Sequence, residues 1–161
     1  MDGNVDFLRW TLIFSCVGSG MMAGPFVSFS TFMMKALSSL ERSEGVRAMQ
    51  AINRLIVRPS FLLVFMGTAL LSVISAYVSY GDVEPWRYIA LSAGLYVVGC
   101  LLSTILFNVP LNDQLESVDS HADEELAFWD IYLVRWTRWN HVRSVATVLS
   151  TALLAYALLQ T

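Results

Sequence analysis

Charged side chains are missing from four long stretches of this chain, and those stretches predict its architecture. Residues 10–34, 60–81, 88–112 and 144–161 contain no Asp, Glu, Lys or Arg. A helix needs about 20 mostly apolar residues to cross the hydrocarbon core of a bilayer. Four such helices would occupy most of the 161 residues. The pattern therefore predicts an all-α integral membrane four-helix bundle, a single domain over residues 1–161 with helical cytoplasmic extensions.

The overall composition agrees with this fold class. The chain is 56% hydrophobic and only 14% charged, with a mean hydropathy of +0.58. A soluble domain usually carries about 25% charged residues. Allowing for the polar and turn residues that flank each stretch, we expect the spans at about residues 7–34, 60–80, 86–108 and 142–160.

Small residues and a proline interrupt the first span. We expect the helix to break at Gly24 and Pro25, because proline lacks the backbone donor and glycine loosens the chain. Gly20 and Gly24 also form a G-x-x-x-G pair. In membrane helices this spacing is typical of close helix packing, and a ligand site is the alternative.

Two further prolines and two serines predict where other helices bend or begin. A helix should start at Ser43 and continue into the second span, with a kink at Pro59. Pro110 should end or bend the third span. Ser120, three residues before Asp123, should cap a helix that runs into the fourth span.

The basic residues predict the orientation in the membrane. Short loops rich in Lys and Arg stay in the cytoplasm. We therefore expect a protein of a bacterial inner membrane, with segments 35–59 and 109–141 cytoplasmic and both termini outside. The basic residues of these segments and of the adjoining start of span four are Lys35, Arg42, Arg47, Arg54, Arg58, Arg135, Arg138 and Arg143, whereas only Arg9 and Arg87 lie on the other side. No basic run is long enough to indicate nucleic-acid binding.

Uncommon polar side chains gather at the predicted cytoplasmic end of the bundle. Trp136, Asn140 and Arg143 share one helix face, because positions i, i+4 and i+7 align. Arg143 alone would be read as an anchor that reaches lipid headgroups. The convergence of the other groups at the same end favours a polar pocket instead. The whole set is Gln50, Asn53, Asn108, Asn112, Trp136, Asn140, His141 and Arg143.

The sequence lacks the usual signatures of a metal or cofactor site. It has two histidines and no E-x-x-H or H-E-x-x-H motif. No carboxylate lies inside a predicted span, so a proton relay of the pump type lacks its usual parts. We expect no metal and no cofactor. A haem held by His121 and His141, or by a histidine and a methionine, is the alternative.

Four motifs together resemble the DUF1772 family, a group of small four-span membrane proteins that includes the fungal anthrone oxygenases. The resemblance covers nearly the whole chain and implies the four-helix fold. It is carried by Gly20-x-x-Ala23-Gly24 with Phe29-Ser30, Met49-Gln50-x-Ile52-Asn53, Asn108-x-Pro110-x-Asn112, and Trp136-x-x-x-Asn140-x-x-Arg143.

This resemblance implies a membrane-embedded oxygenase or oxidoreductase that binds a flat apolar ring, anthrone- or quinone-like, at the cytoplasmic end of the bundle. Loss of a benzylic proton beside a ketone gives an enolate that can react directly with dioxygen, so a cofactor-independent reaction is expected. Its catalytic residues would be Asn108, Asn112, Asn140 and Arg143, as donors to the enolate oxygen. Its substrate-binding residues would be Gln50, Asn53, Trp136 and His141. His141 is the conventional base nearest to this set, but it points about 100° away from Asn140 around the helix.

Two other functions remain open from the sequence. A non-catalytic membrane partner, or an assembly subunit of a larger complex, would use the G-x-x-x-G pair and the acidic segment before span four as contact surfaces. A transporter or channel would need to form a homo-oligomer, because four spans without a buried carboxylate are few for this task.

Overall fold

A computed structural model describes residues 2–81, 84–120, 122 and 126–161. In this part of the chain, four helices are long and apolar enough to cross a membrane, which confirms the predicted all-α membrane bundle. His121 of the predicted haem pair and Asp123 of the predicted helix cap lie outside the described residues. The helices are α1 (Asp2–Ser28, continuing through Phe29–Met33 and Met34–Ser38), α2 (Arg42–Ile56), α3 (Pro59–Val78), α4 (Trp86–Glu116) and α5 (Ala127–Leu158).

The four long helices pack in a ring: α1 against α3 and α5, and α4 against α3 and α5. Near the chain termini the core consists of small and aliphatic residues such as Leu12, Ile89 and Leu154. At the opposite end it is aromatic and includes Trp129 and Tyr132. The outward faces remain apolar and exposed, as expected of helices that face lipid. The protein is therefore an integral membrane protein.

Helix α1 does not break at Pro25, so that expectation is wrong. The α-helical part Asp2–Ser28 contains Pro25 and continues into a π-helical turn, Phe29–Met33, and a last α-helical turn, Met34–Ser38. Local π-helical adjustments allow a membrane helix to carry a proline, because they redistribute the backbone hydrogen bonds around it.

The close helix packing expected at the G-x-x-x-G pair occurs at Gly18, two residues before Gly20. A Cβ atom on Gly24 would meet no described atom within 4 Å, and one on Gly20 would make ordinary contact with Thr151. A Cβ atom on Gly18, by contrast, would collide with the side chain of Thr68. Gly18 is therefore the position that lets α1 and α3 approach closely.

Pro59 separates two helices instead of kinking one. Helix α2 ends at Ile56, Arg58 is extended with φ −96° and ψ 153°, and α3 begins at Pro59. The proline ring disfavours the helical conformation at the residue before it, which explains the break. Helix α2 starts at Arg42, one residue before the predicted Ser43. It is thereby free to lie across the end of the bundle.

Pro110 does not end the third span. Helix α4 continues through it, from π-helical turns at Leu95–Leu102 and Thr104–Asn108 to an α-helical end, Val109–Glu116. Pro110 lies in the first turn of that last part, where its missing N–H group is tolerated. Asn108 and Asn112 are therefore one turn apart on the same helix.

Candidate functional site

A cavity of about 420 Å³ lies at the end of the bundle opposite the chain termini. All five helices contribute to its wall, which is mostly apolar and aromatic. Pockets of this size and character are typical of sites for small organic ligands. Its polar side chains are few: Asn53, Thr104, Asn112, Asp113 and Arg143.

Arg143 is the cation on this wall, and it is only 4% exposed. Its guanidinium carbon lies 4.5 Å from the ring centre of Phe26 and 4.9 Å from that of Trp136. Its Nη2 atom donates to Asn140 Oδ1 over 2.9 Å. Its Nε atom has no hydrogen-bond partner in the described part of the chain. The guanidinium is thus held in place by Asn140 and by two aromatic rings.

No carboxylate among the described residues forms an ion pair with Arg143. The ion pairs found there are Arg42–Asp130 at 2.6 Å and Arg54–Glu116 at 3.0 Å, both on the exposed surface. A buried charge without a partner is unfavourable by several kcal/mol, and contacts with two aromatic faces offset only about 2 kcal/mol each. The charge of Arg143 is therefore not neutralised by a carboxylate among the described residues.

Asn140 holds Arg143 in position and is not itself on the cavity wall. Its Nδ2 atom donates to Phe26 O and to Ser30 Oγ, both over 2.7 Å. Ser30 Oγ in turn lies 2.7 Å from Ser144 Oγ. These bonds fix which end of the amide faces Arg143, since only the oxygen can accept from a guanidinium. Helix α1 thereby determines where the cation sits.

Asn112 presents its amide nitrogen to the cavity for a similar reason. Its Oδ1 atom accepts from Tyr132 Oη and from Trp136 Nε1, both over 2.8 Å. With the oxygen engaged twice, the Nδ2 amide group is the part left for a ligand. Tyr132 was not among the predicted site residues. The sequence pattern could have indicated Tyr132, because this residue continues the helical stripe of Trp136, Asn140 and Arg143 by one turn.

The two predicted residues of α2 have different positions. Asn53 lines the cavity, and its Nδ2 atom is buried without a partner in the described part of the chain. Gln50 lies outside the wall. Its Nε2 atom donates to Leu115 O and Val118 O over 2.9 and 3.0 Å, which ties α2 to the end of α4.

Asn108 and His141 also lie away from the cavity wall. Asn108 is fully buried between helices and donates to Trp136 O over 3.2 Å. Its Oδ1 atom has no partner within the described residues. His141 is exposed on the outer face of α5. The structure thus groups Asn53, Asn112, Trp136 and Arg143 around one space, while the catalytic and binding roles assigned to the predicted residues stay predictions.

Asp113 and Phe26 are wall residues that the sequence did not indicate. The predicted third span stopped at about residue 108, so Asp113 fell within segment 109–141, which was expected outside the membrane. Since α4 continues to Glu116, Asp113 lies on a helix and lines the cavity beside Asn112. Phe26 gave no distinguishing signal among the apolar residues of the first span.

The cavity opens sideways between α3 and α4. Four side chains both line it and are exposed on the outer surface, to between 40% and 50%: Leu62, Met66, Ile105 and Val109. Helix α3 packs on the first half of α4, Trp86–Gly94 and Leu95–Leu102, whereas the second half packs on α2 and α5. The opening therefore lies where the two helices part, and its rim is apolar like the lipid-facing surface.

Comparison with known proteins identifies a family for this chain. Neither the curated proteins nor the solved structures gave a match. A family model described as anthrone oxygenase matches residues 60–153, which is more than half of the chain. The matched segment contains α3, α4 and most of α5, and with them Asn112, Asp113, Trp136 and Arg143. The chain therefore belongs to the anthrone oxygenase family.

Proposed function

We propose that this protein is a membrane oxygenase that acts on a flat, apolar ring ketone of the anthrone or quinone type, without a bound cofactor. One observation carries the proposal: a buried arginine on the wall of a mostly apolar cavity, with no carboxylate partner among the described residues. Such a site suits a ligand that is apolar over most of its surface and develops negative charge on one oxygen.

The reaction begins with loss of a proton from the methylene carbon that faces the ketone across the ring. The C–H electron pair moves into the ring and places negative charge on the ketone oxygen. The Arg143 guanidinium and the Asn112 side-chain amide are the donors offered to that oxygen. Removing one such preorganised donor typically lowers the rate by roughly 10² to 10³.

Dioxygen is the oxidant. The carbanion carbon forms a bond to one oxygen atom and, after protonation, gives a hydroperoxide. The remaining C–H proton is then lost, the O–O bond breaks, and water leaves. The methylene carbon becomes a second ketone, so one dioxygen yields one quinone and one water. A dry cavity protects the carbanion from reprotonation before oxygen arrives.

The walls and the opening suit such a substrate. The rings of Phe29 and Trp136 meet edge to face at 5.3 Å, and the Trp136 ring also contacts Arg143. A flat ring placed against these faces keeps its oxygen near the guanidinium. The apolar rim between α3 and α4 lets a lipid-dissolved molecule enter without crossing water.

Oxygen uptake tests the proposal directly. The full chain in lipid nanodiscs should consume one dioxygen per quinone formed from 9(10H)-anthracenone, faster than protein-free nanodiscs and undiminished by a metal chelator. Equal rates with and without protein would refute the activity. A Soret band or stoichiometric metal in the purified protein would refute the cofactor-free reaction and restore the haem alternative.

The proposal places the cavity at the cytoplasmic side of a bacterial inner membrane, with both termini outside. The supporting observation is the concentration of basic residues in segments 35–59 and 109–141. A cysteine introduced as Thr161→Cys should react with an impermeant maleimide in spheroplasts, and one introduced as Ser39→Cys should react only after lysis. The reverse labelling would invert the orientation.

A non-catalytic partner role is the second candidate. It is favoured by the open space beside Gly24, which is exposed on α1 and has no described atom within 4 Å of where its Cβ atom would lie. A second copy or another membrane protein seated there should co-purify in stoichiometric amount and be lost in Gly24→Leu. A stable monomer in several detergents would count against this role.

A further inference from the structure

We propose that Asp113 is the base that removes the substrate proton, an inference that rests on the proposed oxygenase function. Asp113 is the one carboxylate among the described residues of the cavity wall. Two other carboxylates on the same end of the bundle are engaged elsewhere: Glu116 binds Arg54 and Asp130 binds Arg42.

The exposure of Asp113 suits a base that must work repeatedly. The residue lines the cavity, yet it is exposed overall, so it lies at the boundary between the cavity and the outside. A carboxylate there accepts a proton from a ligand and then releases it to water. A fully buried base would need a relay to do the same.

The placement of Asp113 relative to the donors also fits the chemistry. Asn112 and Asp113 are consecutive on α4, so their side chains leave the helix about 100° apart. Arg143 enters the same cavity from α5. The ketone oxygen and the acidic C–H group lie on opposite sides of the central ring. Donors and base must therefore be separated, and this arrangement separates them.

Other nearby titratable groups are less suited to the task. His141 is exposed on the outer face of α5 and does not line the cavity. Tyr132 is fully buried, and its hydroxyl donates to Asn112 Oδ1. A phenol that already donates its proton to an amide oxygen is a poor acceptor at neutral pH.

The step assigned to Asp113 is a proton transfer from carbon to a carboxylate oxygen. The methylene C–H bond breaks, the proton moves to an Asp113 carboxylate oxygen, and the electron pair enters the ring system. No oxidant takes part until dioxygen reacts with the carbanion. Proton removal can therefore be measured in the absence of oxygen, separately from the overall reaction.

Anaerobic deuterium exchange tests the assignment. The full chain in nanodiscs is mixed with 9(10H)-anthracenone in D₂O, and exchange at the methylene carbon is followed by NMR. Asp113→Asn should slow both exchange and aerobic oxygen uptake by about 100-fold or more, the usual contribution of a general base. Asp113→Glu should restore part of the rate. Glu116→Gln, a surface change on the same turn, should leave both rates unchanged.

A binding measurement separates a base from a structural residue. Asp113→Asn should still quench tryptophan fluorescence on binding anthraquinone, because the proposed role of the carboxylate is to take the proton and not to hold the ring. Wild-type rates in Asp113→Asn would overturn the base assignment and leave the oxygenase function standing. Lost anthraquinone binding would also overturn it. An inactive wild type would instead refute the proposed function.

Discussion

Arg143 is held by a neutral amide, with its Nη2 atom 2.9 Å from Asn140 Oδ1. Asn140 is anchored in turn to Phe26 O and Ser30 Oγ of α1. A carboxylate in the place of Asn140 could accept from the guanidinium, but it would neutralise the charge and could not donate to Phe26 O. Because the partner is an amide, the full charge of Arg143 remains for whatever enters the cavity.

Replacing Arg143 should abolish activity with little damage to the fold. Arg143→Met removes the donor and the charge while keeping an unbranched side chain, so turnover of 9(10H)-anthracenone should fall at least about 100-fold. The thermal midpoint should change little. Losing an unpaired buried charge is favourable, and that gain offsets the penalty of leaving Asn140 Oδ1 without its donor. Oxygen uptake and near-UV circular dichroism measure the two effects.

The matched control is Arg138→Met, which removes an exposed arginine from the same helix. It should leave turnover within about twofold of wild type, because surface substitutions away from special features usually have small effects. Loss of activity in both variants would point to a general effect of charge on α5 and would contradict the specific role of Arg143.

The orientation of Asn112 should depend on Tyr132. Tyr132→Phe removes one of the two donors to Asn112 Oδ1, so the free energy of unfolding should fall by about 1 kcal/mol. The Michaelis constant should rise, because the side-chain amide of Asn112 then spends part of its time rotated, with its oxygen rather than its nitrogen toward the ligand. Tyr77→Phe, a change on an exposed residue of α3, is the control. Unchanged kinetics in Tyr132→Phe would show that Trp136 alone fixes the amide.

The sequence predicts the bundle and the Trp136, Asn140 and Arg143 stripe, because helical periodicity and charge-free length need no tertiary information. It fails at Pro25, and Pro110 does not end the third span, since proline rules describe isolated helices and π-helical turns in a packed membrane bundle relax them. The predicted span stopped at about residue 108, and that early end concealed Asp113. The sideways opening was not predictable either, because it depends on where α3 and α4 part.

Replacing Gly99 or Gly67 with alanine should change the stability of the protein in opposite directions. A Cβ atom on Gly99 would lie 2.6 Å from Ala146 Cβ, whereas one on Gly67 would meet nothing within 4 Å. Gly99→Ala should therefore destabilise the contact of α4 with α5 by about 1–3 kcal/mol, the usual penalty of overpacking. Gly67→Ala should stabilise α3 by about 0.5–1 kcal/mol. Unfolding in mixed detergent micelles measures both, and equal effects would contradict the close approach at Gly99.

The opening between α3 and α4 should control access for a lipid-dissolved substrate. Met66 lines the cavity and is half exposed on its rim, so Met66→Trp should narrow the opening without touching Arg143. The expected result is a Michaelis constant raised about tenfold with kcat within about twofold, because binding becomes slower while the donors at the ligand oxygen are unchanged.

The control for Met66→Trp is a tryptophan placed one turn further along α3, at a position outside the opening. Leu70 is exposed on the outer surface and does not line the cavity. Leu70→Trp adds the same ring to the lipid-facing surface, so it should leave both kinetic constants near wild type. If the two variants behave alike, the ligand does not enter between α3 and α4. A fall in kcat confined to Met66→Trp would mean that the tryptophan reaches into the cavity itself, and the smaller change Met66→Phe should then restore kcat.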